Sequence, residues 1–177
     1  MNNQLSIKPI ALKYGAIIGV FSFGYSTLLH YLGNAQDPFL QYLSIMVYAT
    51  ATVFAYREYR TNNNEVLTFK IGTRLGTLLS FVAAAISSVF NYLYIKFVDD
   101  SAIREALEIT TKALEGNPDL TDEQFEMTVS WMETISYSVL PHLLSIVFLT
   151  FLGFLFSMAV AQMMKREPVD PDQDYDF

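Results

Sequence analysis

The sequence predicts an all-α integral membrane protein: a four-helix bundle with an extramembrane helical hairpin between its third and fourth spans. Two patterns carry that expectation. Four apolar stretches, at about residues 14–32, 38–56, 75–95 and 138–164, contain no Asp, Glu, Lys or Arg. At 1.5 Å per residue, about 20 residues cross a hydrocarbon core ~30 Å thick. The basic residues are also unevenly placed. Lys8 and Lys13 precede the first span, Arg57, Arg60, Lys70 and Arg74 lie between the second and third, and Lys165 and Arg166 follow the fourth. These are eight of the eleven basic residues, all on one side, and the positive-inside rule makes that side cytoplasmic. Both termini are therefore expected inside a bacterial cytoplasmic (inner) membrane.

Composition bounds the chain without settling it. The 177 residues are 52% hydrophobic and 16% charged, which a greasy soluble protein could match. The net charge of −7 is partitioned too: ten acids lie between Asp99 and Glu133, and five lie between Glu167 and Asp176. Neither block favours nucleic acid as a partner. With no Cys there is no disulfide framework, thiolate metal site or Cys nucleophile. Lys8 and Lys13 before an apolar run resemble a signal peptide, but the run exceeds the usual core of about 7–15 residues and no A-x-A cleavage site follows. The first span is read as retained.

The elements follow in order. Gly33 ends the first span and Asp37-Pro38 opens the second, which makes the two antiparallel neighbours. Thr61-Asn62-Asn63-Asn64 reads as a polar turn, and Val66 to Phe69 as an interfacial segment. Beyond the third span, Ile103, Leu107, Thr110 and Leu114 recur at helical spacing until Gly116-Asn117-Pro118-Asp119 breaks the helix. Thr121 and Gln124 form a capping box, and Phe125, Val129, Met132 and Ser136 continue a second helix. This outer hairpin, at about 100–137, can run straight into the fourth span, with Trp131 and Tyr137 near the water boundary and Pro141 allowing a bend. Residues 1–168 form one membrane domain, and the acidic tail 169–177 is expected to be disordered.

The sharpest intramembrane pattern is Gly72, Gly76, Ser80, Ala84 and Ser88, small residues in strict steps of four. Such a stripe lets another helix backbone approach closely, either inside the bundle or on another subunit. Gly15 and Gly19 repeat the motif on the first span: Lys13-Tyr14-Gly15 echoes Lys70-Ile71-Gly72, so duplicated hairpins are one reading and shared helix-entry chemistry the other. Arg57, Arg60, Lys70 and Arg74 are candidates for anionic lipid, although topology alone already demands basic residues there.

Other residues point to less. His30 and His142 lie near the outer ends of the first and fourth spans, but two imidazoles fall short of the three or four ligands of a zinc site. Asp99-Asp100 reads as a solvated helix terminus. No H-E-x-x-H, G-x-S-x-G, Walker loop or C-x-x-C is present, and no ionisable Asp, Glu, Lys or Arg lies at membrane depth where proton relays and ion paths place them. No catalytic residue, metal site or cofactor is expected.

Several stretches together resemble a bacterial membrane family known as domain of unknown function 4199. They are Lys13-Tyr14-Gly15 with Gly19, the entry Phe69-Lys70-Ile71-Gly72, the run from Ser88 to Phe97, the acidic helix pair, and the close at Met164-Lys165-Arg166-Glu167. The resemblance covers about residues 8–168. Asp99-Asp100 departs from it, standing where relatives often have an Asn-Pro or similar turn. It implies four spans and supplies no activity or catalytic residues. The leading functional expectation is a non-enzymatic accessory or scaffold protein that packs with membrane lipids and with another membrane protein or a second copy of itself. A small transporter or lipid-handling protein is the alternative. The topology is directly testable: a reporter fused after Lys112 should lie outside and one at Phe177 inside, and reversed signals would overturn the orientation.

Overall fold

A computed structural model describes residues 5–35, 37–115 and 120–166. Among them the chain is all-helical, with six helices and no strand: α1 (Lys8–Tyr31), α2 (Pro38–Asn62), α3 (Phe69–Phe97), α4 (Ser101–Glu115), α5 (Asp122–Ser136) and α6 (Leu140–Met164). Four of these, α1, α2, α3 and α6, are long and apolar enough to cross a membrane. The acidic tail at 169–177 and the helix break at 116–119 lie outside the described residues.

The helix ends explain themselves chemically. Gly33 stops α1 in the left-handed region, at φ +68°. Asp37 caps α2 by accepting from the Phe39 N–H at 2.8 Å, and Pro38 occupies the first turn, where its missing N–H costs nothing. Thr68 caps α3, and Thr121 and Gln124 make the expected reciprocal capping box on α5.

Several boundaries differ from the sequence expectation. The helices overrun the apolar windows: α1 begins at Lys8, α2 continues through Asn62, and α3 begins at Phe69. Charged residues are excluded from the hydrocarbon and not from the helix, so the charge-free window underestimates helix length. The polar turn shifts to Asn63–Val66, where Asn64 and Glu65 take positive φ. Leu67 is fully buried, and it exchanges two 2.9 Å backbone hydrogen bonds with Arg166 that fasten the α2–α3 connection to the end of α6. Helix α5 does not run straight into α6. The Ser138 hydroxyl donates to the Ile135 carbonyl at 2.7 Å and accepts from the Leu140 N–H at 3.2 Å, which closes one helix and opens the next, with Pro141 in the new first turn.

Helix α3 is the central element, packing most heavily against α6 and α1, whereas α2 touches α3 and α6 sparsely. Against α6 the fit is residue by residue. A methyl placed on Gly72 would come within 2.8 Å of the Ala161 methyl; one on Gly76 would strike Ser157, and one on Gly153 would strike Ser80. Further along, the Ser88 and Ser145 hydroxyls meet at 3.0 Å. Gly72, Gly76 and Ser80 step by four along α3 as Ala161, Ser157 and Gly153 step by four backwards along α6, the register of an antiparallel pair with interlocked i±4 ridges. Against α1 the order is parallel: Gly15 sits on Val82, Gly19 on Ile86, and the Phe23 ring stacks on Phe90 with centroids 5.5 Å apart.

The paired Lys-x-Gly motifs do not play equivalent parts. Gly15 and Gly19 face α3, whereas Gly72 and Gly76 face α6 and the Tyr56 ring of α2. In duplicated hairpins Gly15 and Gly19 would have faced α2. The glycines of α1 differ among themselves in a way that can be measured. Gly15→Ala would put a methyl 2.8 Å from the Leu79 carbonyl, and overpacking against backbone costs about 1–3 kcal/mol. Gly24 has nothing within 4 Å of such a methyl, so Gly24→Ala gains up to about 1 kcal/mol of helix propensity. Thermal unfolding in detergent should therefore fall for the first and hold or rise for the second.

Candidate functional site

Because α2 stands away from α3 and α6, tyrosines reach across the gap. Tyr56 and Tyr59 are fully buried. The Tyr56 hydroxyl donates to the Ser157 carbonyl at 3.4 Å, and the Tyr48 ring lies 5.3 Å from that of Phe156. Tyr48 and Ser80 hydroxyls meet at 2.5 Å, and the Ser80 hydroxyl also donates to the Gly76 carbonyl at 2.7 Å. Ser80 has one proton and it is committed to that carbonyl, so Tyr48 is the donor to Ser80.

Beside this Tyr48–Ser80 contact lies a cavity of about 420 Å³ lined by all four long helices. Its walls are apolar, with Ile18 from α1, Ile45 from α2, Ala84 from α3 and Leu152 from α6 among them. Five of the lining residues carry hydroxyls: Ser22, Ser44, Tyr48, Ser80 and Ser87. No Asp, Glu, Lys, Arg or His lines it. Ile45, Leu149 and Leu152 line the cavity and are also substantially exposed on the outer surface, so it opens sideways between α2 and α6.

The predicted site residues are distributed as follows. Gly72, Gly76, Ser80, Ala84 and Ser88 are all buried, four of them against α6 as described and Ala84 at the cavity wall. Gly15 and Gly19 are buried against α3. At the basic end, Arg57, Lys70 and Arg74 are exposed and form no ion pair with a described residue. Arg60 is different: half-buried, it donates to Glu65 at 3.1 Å, and Arg166 approaches the same carboxylate at 3.7 Å. Lys13 and the Tyr14 hydroxyl both bind Glu58, at 2.8 and 2.9 Å, joining α1 to α2.

The two histidines are engaged separately. His30 meets the Ser101 hydroxyl at 2.9 Å, and the His142 ring stands edge-on to Tyr92. Among the described residues no group of three or more His, Cys, Asp or Glu is placed to hold a metal ion. Asp99 accepts from the Ser101 N–H at 2.9 Å, and this bond holds its carboxyl below the usual range. Asp100 pairs with Arg104 at 2.5 Å and accepts from the Tyr137 hydroxyl at 3.1 Å; partial loss of hydration and that bond raise the Tyr137 phenol. The acid pair therefore serves the start of α4.

Two features were not singled out in the sequence. The α6 half of the seam, Gly153, Ser157 and Ala161, is itself a stripe in steps of four and was readable as one. The tyrosine spacers carry no comparable signal, since Tyr in a span reads equally as an interfacial anchor.

Four bilayer-length apolar helices, with α1 and α6 packed against α3, define a helical multi-pass membrane protein. The chain belongs to the family described as protein of unknown function (DUF4199), matching it over residues 13–166. No curated protein and no solved structure matches it.

The donor assignment at Tyr48 has an asymmetric consequence. Tyr48→Phe leaves Ser80 satisfied by Gly76 and should cost about 0.5–1.5 kcal/mol, whereas Ser80→Ala leaves a half-buried phenol without its acceptor at about 1–3 kcal/mol. Paired unfolding measurements in detergent should rank Ser80→Ala as the more damaging; the opposite order would reverse the donor.

Proposed function

We propose that this chain is a non-enzymatic accessory or scaffold protein of a bacterial cytoplasmic membrane. In this reading the four long helices form a four-helix bundle, α4 and α5 form a hairpin on the outer face, and both termini are cytoplasmic. The basic residues flanking α1, α2, α3 and α6 support the orientation. Arg57, Lys70 and Arg74 then lie open toward anionic headgroups, each contributing about 1 kcal/mol near a charged surface. Arg60, held by Glu65, contributes less to that contact.

One observation carries the scaffold reading. Helices α4 and α5 contain no buried residue, yet Ile109, Met127 and Trp131 on them are 59%, 55% and 63% exposed. Large apolar side chains held open on ordered helices outside the spans are what a partner surface requires. The small-residue stripe is the weaker candidate for that surface, because its glycines already lie against α6 and α2. The partner is another membrane protein of the envelope or a second copy of this chain.

The cavity among the long helices favours a second reading, a small transporter or lipid-handling protein. The two readings separate experimentally. Purification in mild detergent followed by mass spectrometry should recover a second envelope protein or a homodimer. A Met127→Ser/Trp131→Ser variant should lose it without a lower unfolding temperature. A solitary monomer, or a partner retained by the variant, would sink the scaffold reading.

A further inference from the structure

We infer that the cavity among α1, α2, α3 and α6 binds an uncharged lipid bearing carbonyl oxygens, with Ser22, Ser44 and Ser87 as the hydrogen-bond donors. The inference rests on the lipid-handling reading and is independent of the scaffold surface.

Several hydroxyls at packing faces turn back on their own helices: Thr52 donates to the Tyr48 carbonyl, Ser80 to Gly76 and Ser157 to Gly153. Tyr48 is used up on Ser80. Ser22, Ser44 and Ser87, from three different helices, line the cavity and make no hydrogen bond to a described residue. A hydroxyl without a partner in hydrocarbon is costly, and three serines lining one space can be satisfied by acceptors inside it.

Charge and depth narrow the occupant. The wall has no cation to compensate a phosphate or carboxylate, and an uncompensated charge is strongly disfavoured there. Ser22 and Ser87 lie about 14 and 15 Å from the nearer ends of α1 and α3, and Ser44 about 9 Å from the start of α2. That places Ser22 and Ser87 near mid-depth and Ser44 closer to one surface. A phospholipid is anchored by its charged head at the interface, which keeps its ester carbonyls there. Carbonyls at mid-depth belong to a lipid with no charged head, and the free donors ask for acceptors.

Size and access agree. About 420 Å³ is within the range of small-molecule sites and admits a carbonyl-bearing ring or a short acyl ester. The sideways opening between α2 and α6 gives entry from the bilayer, so the ligand never has to cross the charged ends. Isoprenoid quinones and neutral acylglycerols share this chemistry.

The test uses the full-length protein purified in detergent, with decylubiquinone, dioctanoylglycerol and dodecylbenzene as probes, read by thermal shift and native mass spectrometry. One of the two carbonyl lipids should bind and raise the unfolding midpoint, which identifies the source, and the hydrocarbon should do so far less. The Ser22→Ala/Ser44→Ala/Ser87→Ala variant should weaken binding by more than about tenfold, as expected for the loss of several hydrogen bonds. If that variant does not fold, Ser87→Ala alone should weaken it by about fivefold. Equal stabilisation by dodecylbenzene, no binding of either carbonyl lipid, or unchanged affinity in the serine variants would overturn the assignment. None of these outcomes bears on whether a protein partner co-purifies.

Discussion

The close approach of the α3 backbone to α6 is the contact on which the remaining architecture depends. In a bilayer the hydrophobic effect does not drive helices together, because lipid tails are as apolar as the side chains that would replace them. What remains is van der Waals contact at short range and polar contact between helices. Small residues maximise the first by removing the side chains that would hold two backbones apart. Gly72 against Ala161, Gly76 against Ser157 and Ser80 against Gly153 do this on both partners at once. The Ser88–Ser145 contact adds the polar term further along the seam. A single larger residue on either stripe would separate the helices over more than one turn.

The same constraint explains the open space. Helix α3 spends one face on α6 and another on α1, so α2 cannot approach it as closely. Tyrosines bridge the distance at Tyr48 and Tyr56, each wide enough to span the gap and each with a hydroxyl that finds an oxygen on the far side, while the Tyr59 hydroxyl donates to the Leu5 carbonyl ahead of α1. Aromatic spacers fill a gap only where they lie. Between Tyr48 and the far end of α2, Ser44 and Ile45 supply no comparable bulk, and the cavity is what remains.

Much of this was legible in the residues. Four charge-free runs give four long helices because burying a charge in hydrocarbon is costly enough to mark the chain wherever it crosses. Asp37-Pro38, Gly33 and the Thr121–Gln124 box act over a few residues, and all three lie where local chemistry expects them. The α3 stripe was legible as a packing face, but the partner across it was not. Steps of four on α6 mark a face equally well, yet nothing in either stripe states that Gly76 meets Ser157 and not a residue of α2. Gly15 and Gly19 show the same limit, since the motif they share with Gly72 and Gly76 does not set which helix they meet. The serines of the cavity were hidden for a related reason. Ser22, Ser44 and Ser87 are unremarkable singly, and only the packing of three helices brings them to one wall.

The unequal grip on the four long helices also decides which of them can move. Helix α6 is held by the interlocked stripe and, at its end, by the two Leu67–Arg166 backbone bonds. Helix α1 is held by glycines in contact with α3 carbonyls and by the Phe23–Phe90 stack. Displacing either would open backbone contacts along several turns. Helix α2 is held by individual side-chain bonds: Glu58 to Lys13 and Tyr14, Tyr25 to the Leu40 carbonyl, and its own tyrosines. Each of these can break alone, and an exposed ion pair such as Lys13–Glu58 contributes only about 0–1 kcal/mol. Among the four long helices the least costly rearrangement is therefore a movement of α2 away from α6. That movement would widen the one side of the cavity that already faces the bilayer.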